Sequence, residues 1–196
     1  MTRPLTPAET ANGTDPLEDL WVPVLLRALA ALIFGAVTIF WATPSLEVLA
    51  WAGGTYALAT GVLVLWGIPK TGFRRDTASA KLLWGAGSIL TGAGVALLLL
   101  HGDLLFGVIA ALGLGFAGVI ELVCGLRNRG SHPLARDWIA SGAIGLGTAA
   151  ALPFFISLGA HALLGVAGGG AIIAGVLWVL SALTLRHDAR AAVVKP

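Results

Sequence analysis

Residues 60–65 read TGVLVL, residues 117–122 read AGVIEL, and residues 174–179 read AGVLWV. These three stretches lie 57 positions apart, and their glycines come into register without any gap. A fixed period of this length is typical of one supersecondary unit copied along a chain. Each copy is apolar nearly throughout, so the unit that it predicts is a pair of hydrophobic helices. The sequence therefore predicts three tandem helical hairpins in a membrane.

The composition favours a membrane protein over a soluble one. Of the 196 residues, 57% are hydrophobic and 11% are charged, whereas a soluble domain carries about 25% charged residues. A chain this short has too much surface for its volume to hide so many apolar side chains in water. Residues 82–100 and 138–158 carry no charge, and about 20 such residues cross a bilayer as a helix. Because the runs do not alternate in polarity, they favour helices over a membrane β-barrel.

The chain divides into two tails and an all-α polytopic membrane domain. Residues 1–20 are polar, which predicts a disordered tail, and residues 187–196 form a second tail. Residues 21–186 form the six-helix transmembrane domain. Its three repeats are residues 21–77, 78–134 and 135–186, with approximate bounds. The six predicted spans are residues 22–41, 46–68, 82–100, 104–126, 138–157 and 161–185.

Basic residues are concentrated on one side of the predicted topology. All 12 Lys and Arg residues fall on that side or close to it, and the three short turns on the other side have none. Cytoplasmic loops are enriched in Lys and Arg, so we expect both tails and both long loops in the cytoplasm. Because each repeat has two spans, the hairpins share one orientation. They are expected to surround an approximate three-fold axis along the membrane normal.

Small residues are expected to hold the helices together. Lipid tails are as apolar as leucine, so helix association in a bilayer depends on close packing and on polar bonds. Pairs of small residues four positions apart recur in the first helix of each hairpin: Ala31 with Gly35, Ser88 with Gly92, and Gly145 with Ala149. The glycines that we expect at helix contacts are Gly35, Gly61, Gly92, Gly118 and Gly175.

No motif in the sequence supports an enzyme. Residues 113–118 read GLGFAG and match the dinucleotide-binding pattern G-x-G-x-x-G. That function requires a preceding strand and a turn at the first glycine, whereas these glycines lie inside an apolar run. The single cysteine, Cys124, allows no intrachain disulfide. We expect no catalytic residue, no metal ligand, no cofactor and no nucleic-acid partner.

Two charges lie within the predicted spans at matching depth. Arg27 is about six residues into the first span, and Glu121 is about six residues before the end of the fourth. A buried charge in a membrane is costly and is normally partnered, so we expect a structural ion pair between them on the cytoplasmic side. The alternatives are that Arg27 reaches to the interface alone, and that Glu121 is a proton or substrate site.

Four titratable residues lie near the turns on the other side, and they are Glu47, His101, Asp103 and His161. Histidine titrates at about pH 6.5 and carboxylic acids titrate lower, so an acidified exterior would make this face more positive. The group is therefore a candidate pH-sensing outer face. The alternative is a set of ordinary solvated turn residues.

A series of residues in the first two hairpins carries a family resemblance. It consists of Leu26-Arg27, Phe34-Gly35, Trp41, Pro44, Tyr56-Ala57-Leu58 before Gly61, and GVIEL at residues 118–122 followed by Arg127. Together they resemble the HdeD-like acid-resistance membrane proteins, over about residues 21–186. The chain departs from the family pattern at Ala28, where glycine is common, and at Ala42-Thr43, which separates Trp41 from Pro44.

The resemblance implies a bacterial inner-membrane protein of six helices, associated in some members with survival of acid stress. We therefore expect a non-enzymatic, multi-pass protein that contributes to acid or envelope stress resistance. It would act by packing in the lipid bilayer or by binding a partner, either a second copy of itself or another membrane protein. The alternative is a small transporter or channel with a proton-linked site at Glu121, against which the nearly apolar midplane argues.

Overall fold

The computed structural model describes residues 19–194, with side chains up to residue 191. These residues form six long α-helices and contain no strand. The helices are α1 Trp21–Phe40, α2 Leu46–Gly67, α3 Ala78–Leu99, α4 Asp103–Arg127, α5 Ala135–Phe155 and α6 Ala160–Val194. Each is long and apolar enough to cross a membrane, which confirms the six predicted spans. Residues 1–18 of the predicted N-terminal tail lie outside the described range, and the second predicted tail continues α6 as helix to Val194.

Local signals explain where the helices begin. The hydroxyl of Ser45 accepts the backbone N–H of Val48 at the start of α2, and Thr77 caps α3 in the same way. The turn before α6 needs Gly159, whose φ of 81° is unfavourable for residues with a Cβ atom. The turns at Ser45 and Gly159 allow the chain to reverse direction in few residues, whereas Thr77 lies at the end of a longer loop.

The helices form a closed ring in chain order. Each even-numbered helix packs most extensively against the first helix of the next hairpin, which pairs α2 with α3, α4 with α5, and α6 with α1. The contacts within each hairpin are smaller, and α2, α4 and α6 also contact one another. Across the ring, α1 and α4 do not pack against each other. A side chain that connects α1 to α4 must therefore cross the centre of the bundle.

Three of the glycines lie where the backbones of neighbouring helices approach closely. A Cβ atom added to Gly61 would lie 2.7 Å from the carbonyl oxygen of Gly87, and one added to Gly118 would lie 2.9 Å from that of Gly142. At Gly175 it would lie 2.9 Å from the Leu32 side chain. These distances leave no room for a methyl group without a shift of the neighbouring helix or side chain. Glycine is what permits these contacts.

The expectation for Gly92 is wrong. Gly92 is exposed, and nothing lies within 4 Å of the place where its Cβ would stand. The close approach on α3 is made by Gly94, whose added Cβ would lie 2.8 Å from the carbonyl oxygen of Gly54. Because an α-helix turns about 100° per residue, a two-residue difference moves a side chain to nearly the opposite face. Ser88, which was paired with Gly92, is exposed as well.

Two apolar clusters close the ends of the bundle. The first lies at the end where the long basic loops are found, here called the basic end. It comprises Leu20, Val24, Ala28, Ile68, Ala80, Leu83, Cys124, Leu134, Trp138, Trp178 and Ala182. The second lies at the opposite end, where the turns are short. It comprises Ala31, Phe34, Leu49, Leu97, Phe106, Ala110, Leu152, Leu163, Leu164, Ala167 and Ala171. The buried side chains of Arg27, Thr60, Glu121 and Ser141 lie between these clusters.

Candidate functional site

The structure brings Arg27 and Glu121 together across the ring. Arg27 Nη2 donates a hydrogen bond to Glu121 Oε1 at 2.5 Å, and the two side chains are 14% and 3% exposed. Arg27 lies six residues after the start of α1 and Glu121 six residues before the end of α4. At 1.5 Å per residue, both lie about 9 Å from the basic end. The pair is a buried, charge-assisted contact inside the membrane-spanning bundle.

Trp178 provides a second partner for Arg27. The guanidinium carbon of Arg27 lies 4.5 Å from the centre of the Trp178 ring, and this tryptophan is 2% exposed. Its indole N–H donates to the hydroxyl of Ser141 at 3.3 Å. A guanidinium over an aromatic face is stabilised by the ring quadrupole, most strongly when water is excluded. The chain of contacts therefore links α4, α1, α6 and α5.

A cavity of about 50 Å³ lies beside the ion pair, and all six helices contribute residues to its wall. Its polar lining comprises Arg27, Tyr56, Thr60, Glu121, Ser141, Thr148 and the indole of Trp178. Thr60 is 4% exposed, and its hydroxyl has no hydrogen-bond partner among the described residues. A buried polar atom without a partner is uncommon in proteins and requires an explanation. We call this space the central cavity.

Two smaller cavities adjoin the central cavity along the bundle. One, of about 40 Å³, shares Arg27 and Trp178 with it and extends to Thr71 at the basic end. The other, of about 20 Å³, shares Tyr56 and lies on the opposite side. Apart from Tyr56, its described lining is apolar. The interior is therefore polar around Arg27 and Glu121, and it becomes apolar beyond Tyr56.

His132 joins the two long loops at the basic end. Its Nδ1 accepts the backbone N–H of Leu134 at 3.1 Å, so the ring proton is on Nε2, which donates to the carbonyl of Thr71 at 3.0 Å. The ring stacks on Trp138, with centroids 4.6 Å apart. Burial lowers the pKa of His132, and the hydrogen bond to Thr71 offsets part of that effect. The neutral imidazole is thus the form that holds the loops together.

The four residues of the candidate pH-sensing outer face do not form a connected cluster. Glu47, His101 and His161 are exposed, and no hydrogen bond or ion pair links any of the four within residues 19–191. Asp103 is partly buried, and its Oδ1 has no partner in that same range. They are distributed over the three short turns at the opposite end.

The sequence analysis missed several residues of the site. Thr60, Ser141 and Trp178 were given no site role, and Tyr56 was named only within the series that resembles a known family, although a signal for Ser141 and Trp178 was present. The 57-residue offset that aligns the glycines also aligns Glu121 with Trp178, and twice that offset aligns Arg27 with Ser141. Polar or aromatic residues at positions equivalent to a buried charge could have marked these two. Nothing comparable marked His132.

The remaining chemistry of the described residues is sparse. No group of three or more metal-ligating side chains is found in the part of the chain that was searched. Residues 113–118, which match the dinucleotide pattern, lie inside α4, and Cys124 is buried. No family model matches this chain, and neither a curated protein nor a solved structure is significantly similar to it.

Proposed function

We propose that this chain is a non-enzymatic, multi-pass protein of the bacterial inner membrane, of the HdeD-like type, that contributes to resistance against acid or envelope stress. The observation that carries the proposal is the Arg27–Glu121 pair, buried within six apolar helices at 14% and 3% exposure. The same two residues belong to the series that resembles the HdeD-like family. The lipid bilayer is one partner, and a second copy or another membrane protein is the other.

In this proposal the ion pair is structural. A lone charge at this depth in a bilayer is costly, and a carboxylate and an aromatic face together compensate the guanidinium of Arg27. Because α1 and α4 do not pack against each other, the pair fastens the first hairpin to the second across the centre of the ring. No reaction chemistry is needed to explain these contacts.

We also propose that the three hairpins are repeats around a three-fold axis. Two helix contacts share one register, because Gly118 meets Gly142 and Gly175 meets the carbonyl of Ala28. Gly142 lies twice 57 positions after Ala28, as the repeat requires. At the third contact Gly61 meets Gly87, whereas the 57-residue period predicts a contact with position 85. This difference is explained by two additional residues before the contact face of α3, which also accounts for the inward position of Gly94.

Both termini are cytoplasmic in this proposal. What supports it is the distribution of basic side chains, since the loops at the basic end carry Lys70, Arg74, Arg75, Lys81, Arg127, Arg129 and Arg136, while the turns at the opposite end have no Lys or Arg. Lys and Arg near the ends of spans favour the cytoplasmic side. Arg186, stacked 5.2 Å from Trp21, adds to the charge of the same end.

A survival assay tests the proposed role. A strain lacking the gene is compared with its parent after exposure to acid and to an envelope stress at neutral pH, and the intact gene is supplied as the complementing control. We expect lower survival of the deletion strain and recovery on complementation. Equal survival of all strains under both stresses would refute the role.

The second candidate function is a small transporter or channel with a proton-linked site at Glu121. The specific observation in its favour is the central cavity, which places hydroxyl groups beside that carboxylate. The apolar cluster at the opposite end argues against a continuous path. Flux measurements in proteoliposomes, with protons and small ions, separate this candidate from the first.

A further inference from the structure

We propose that the central cavity is a binding site for water, and that this water bridges the hydroxyl of Thr60 to the Arg27–Glu121 pair. Both members of the pair remain ionised, and the water completes their hydrogen bonds. Such a site belongs to the interior of the bundle and does not require the proposed role in stress resistance.

Thr60 is the exception among the threonines of the described α-helices. The others donate their hydroxyl groups to a carbonyl about one turn back in the same helix, and they are Thr38, Thr55, Thr91, Thr148 and Thr184. Thr60 is 4% exposed, and its hydroxyl has no partner within residues 19–191. Because a buried hydroxyl without a hydrogen bond is costly, Thr60 needs a partner from the cavity that it lines.

The ion pair also has unused hydrogen-bonding capacity. Among the described residues, Arg27 donates one hydrogen bond, to Glu121, and Glu121 accepts only that one. A guanidinium carries several N–H donors, and a carboxylate accepts several hydrogen bonds. The attraction within a buried pair offsets the cost of desolvation only when further hydrogen bonds satisfy the remaining donors and acceptors. Both residues line the central cavity, so water held there can supply these bonds.

The cavity has room for water and enough polar groups to hold it. Its volume of about 50 Å³ exceeds the roughly 10–15 Å³ that one bound water occupies. A bound water needs about two to four polar partners, and the wall offers oxygen atoms from Thr60, Glu121 and Ser141. Apolar cavities stay dry, and the cavity of about 20 Å³ around Phe106 is apolar in its described lining apart from Tyr56. We therefore expect water beside Glu121 and none beside Phe106.

Radiolytic labelling of the full chain in detergent tests for this water directly. Hydroxyl radicals made from bound water by an X-ray pulse oxidise the side chains beside it, even buried ones. We expect oxidation at Tyr56 and Trp178, which line the central cavity, and none at Phe106. Unlabelled Tyr56 and Trp178 would show that the cavity is dry and would overturn the proposal.

Variants at Thr60 test whether its hydroxyl holds the water. Thr60→Val removes the hydroxyl and keeps the shape of the side chain, so it should reduce the oxidation at Tyr56 several-fold, whereas Thr60→Ser should retain it. Thr38→Val is the matched control, because the hydroxyl that it removes is already satisfied within α1, and it should leave the labelling of Tyr56 unchanged. Equal labelling of Tyr56 in Thr60→Val and in the parent protein would refute the bridge.

The direction in which Thr60→Val shifts the melting temperature is a second test. In a dry cavity the hydroxyl has no partner, so replacing it with a methyl group removes a cost and raises the melting temperature. If water binds the hydroxyl, the same change takes a partner from that water and weakens its bonds to the ion pair. We therefore expect Thr60→Val to melt at a lower temperature than the parent protein in detergent. A higher or an unchanged melting temperature would contradict the water bridge.

Discussion

Arg27 of α1 donates its hydrogen bond to Glu121 of α4 at 2.5 Å, although these two helices do not pack against each other. The contact spans the centre of a closed ring, so it connects elements that helix packing leaves apart. It also places the two buried charges of the spans next to one another, with Trp178 covering the guanidinium. The contact is therefore expected to add to the stability that helix packing gives the bundle.

The first prediction concerns this pair. Glu121→Gln and Arg27→Ala should each destabilise the protein, because removing one partner of a buried pair costs about 3–5 kcal/mol. The double variant should lose less than the sum of the two, since it leaves no lone charge. The free energy of unfolding is measured in detergent, with a denaturing surfactant, for the parent protein, the two single variants and the double variant. Arg74→Ala, which disturbs the exposed pair with Asp76, is the control and should change little. Strictly additive losses would contradict the coupling.

The second prediction compares two glycines on α3. Gly94→Ala should destabilise the protein by about 1–3 kcal/mol, because the new methyl group meets the backbone of α2. Gly92→Ala should be neutral or stabilising by up to about 1 kcal/mol, since nothing lies within 4 Å of it and alanine favours helix. The same unfolding experiment reports both values. If the order of the two effects were reversed, the inward face of α3 would be misassigned.

The third prediction is a pH dependence from His132. Its pKa is lowered in the folded protein by burial, while in the unfolded chain it is about 6.5. Above that pH, His132 is neutral in both the folded and the unfolded protein, so its titration does not lower the free energy of unfolding. As the pH falls below it, the unfolded state binds the proton first, so stability declines until the lower folded pKa is passed. Protonation of Nδ1 also removes the bond from Leu134.

Melting temperatures in detergent across this pH range measure the effect. His132→Gln should flatten the profile, whereas His101→Gln, at an exposed position of the opposite end, should leave it as in the parent protein. Identical profiles for the parent and His132→Gln would show that another group causes the dependence.

The fourth prediction is the topology. Reporters inserted near Gly72 and fused after residue 196 should both read cytoplasmic, because basic loops are retained on that side. A reporter at Gly102, in a turn without Lys or Arg, should read external. An external result at Gly72 would reverse the assignment of the basic end.

The prediction of the site was partial for a physical reason. The depths of Arg27 and Glu121 follow from counting residues along two helices, because each residue advances a helix by about 1.5 Å. Which side chains surround them depends on the rotation of each helix about its axis. A single sequence does not specify that rotation. Thr60 and Trp178 can be assigned to the site only from the positions of α2 and α6 relative to α1.

What the sequence by itself determined is the number of helices and their approximate ends. These follow from local apolar runs, since a bilayer requires every backbone polar group to be satisfied within its own helix. Only the tertiary structure decided which face of each helix points inward. On α3, for example, Gly94 lies at the close contact with α2, where the sequence had indicated Gly92. The tertiary structure also decided that His132 joins two loops distant in sequence. The physical reason is that packing between helices depends on rotations of about 100° per residue, to which hydrophobicity in a nearly uniform apolar run is insensitive.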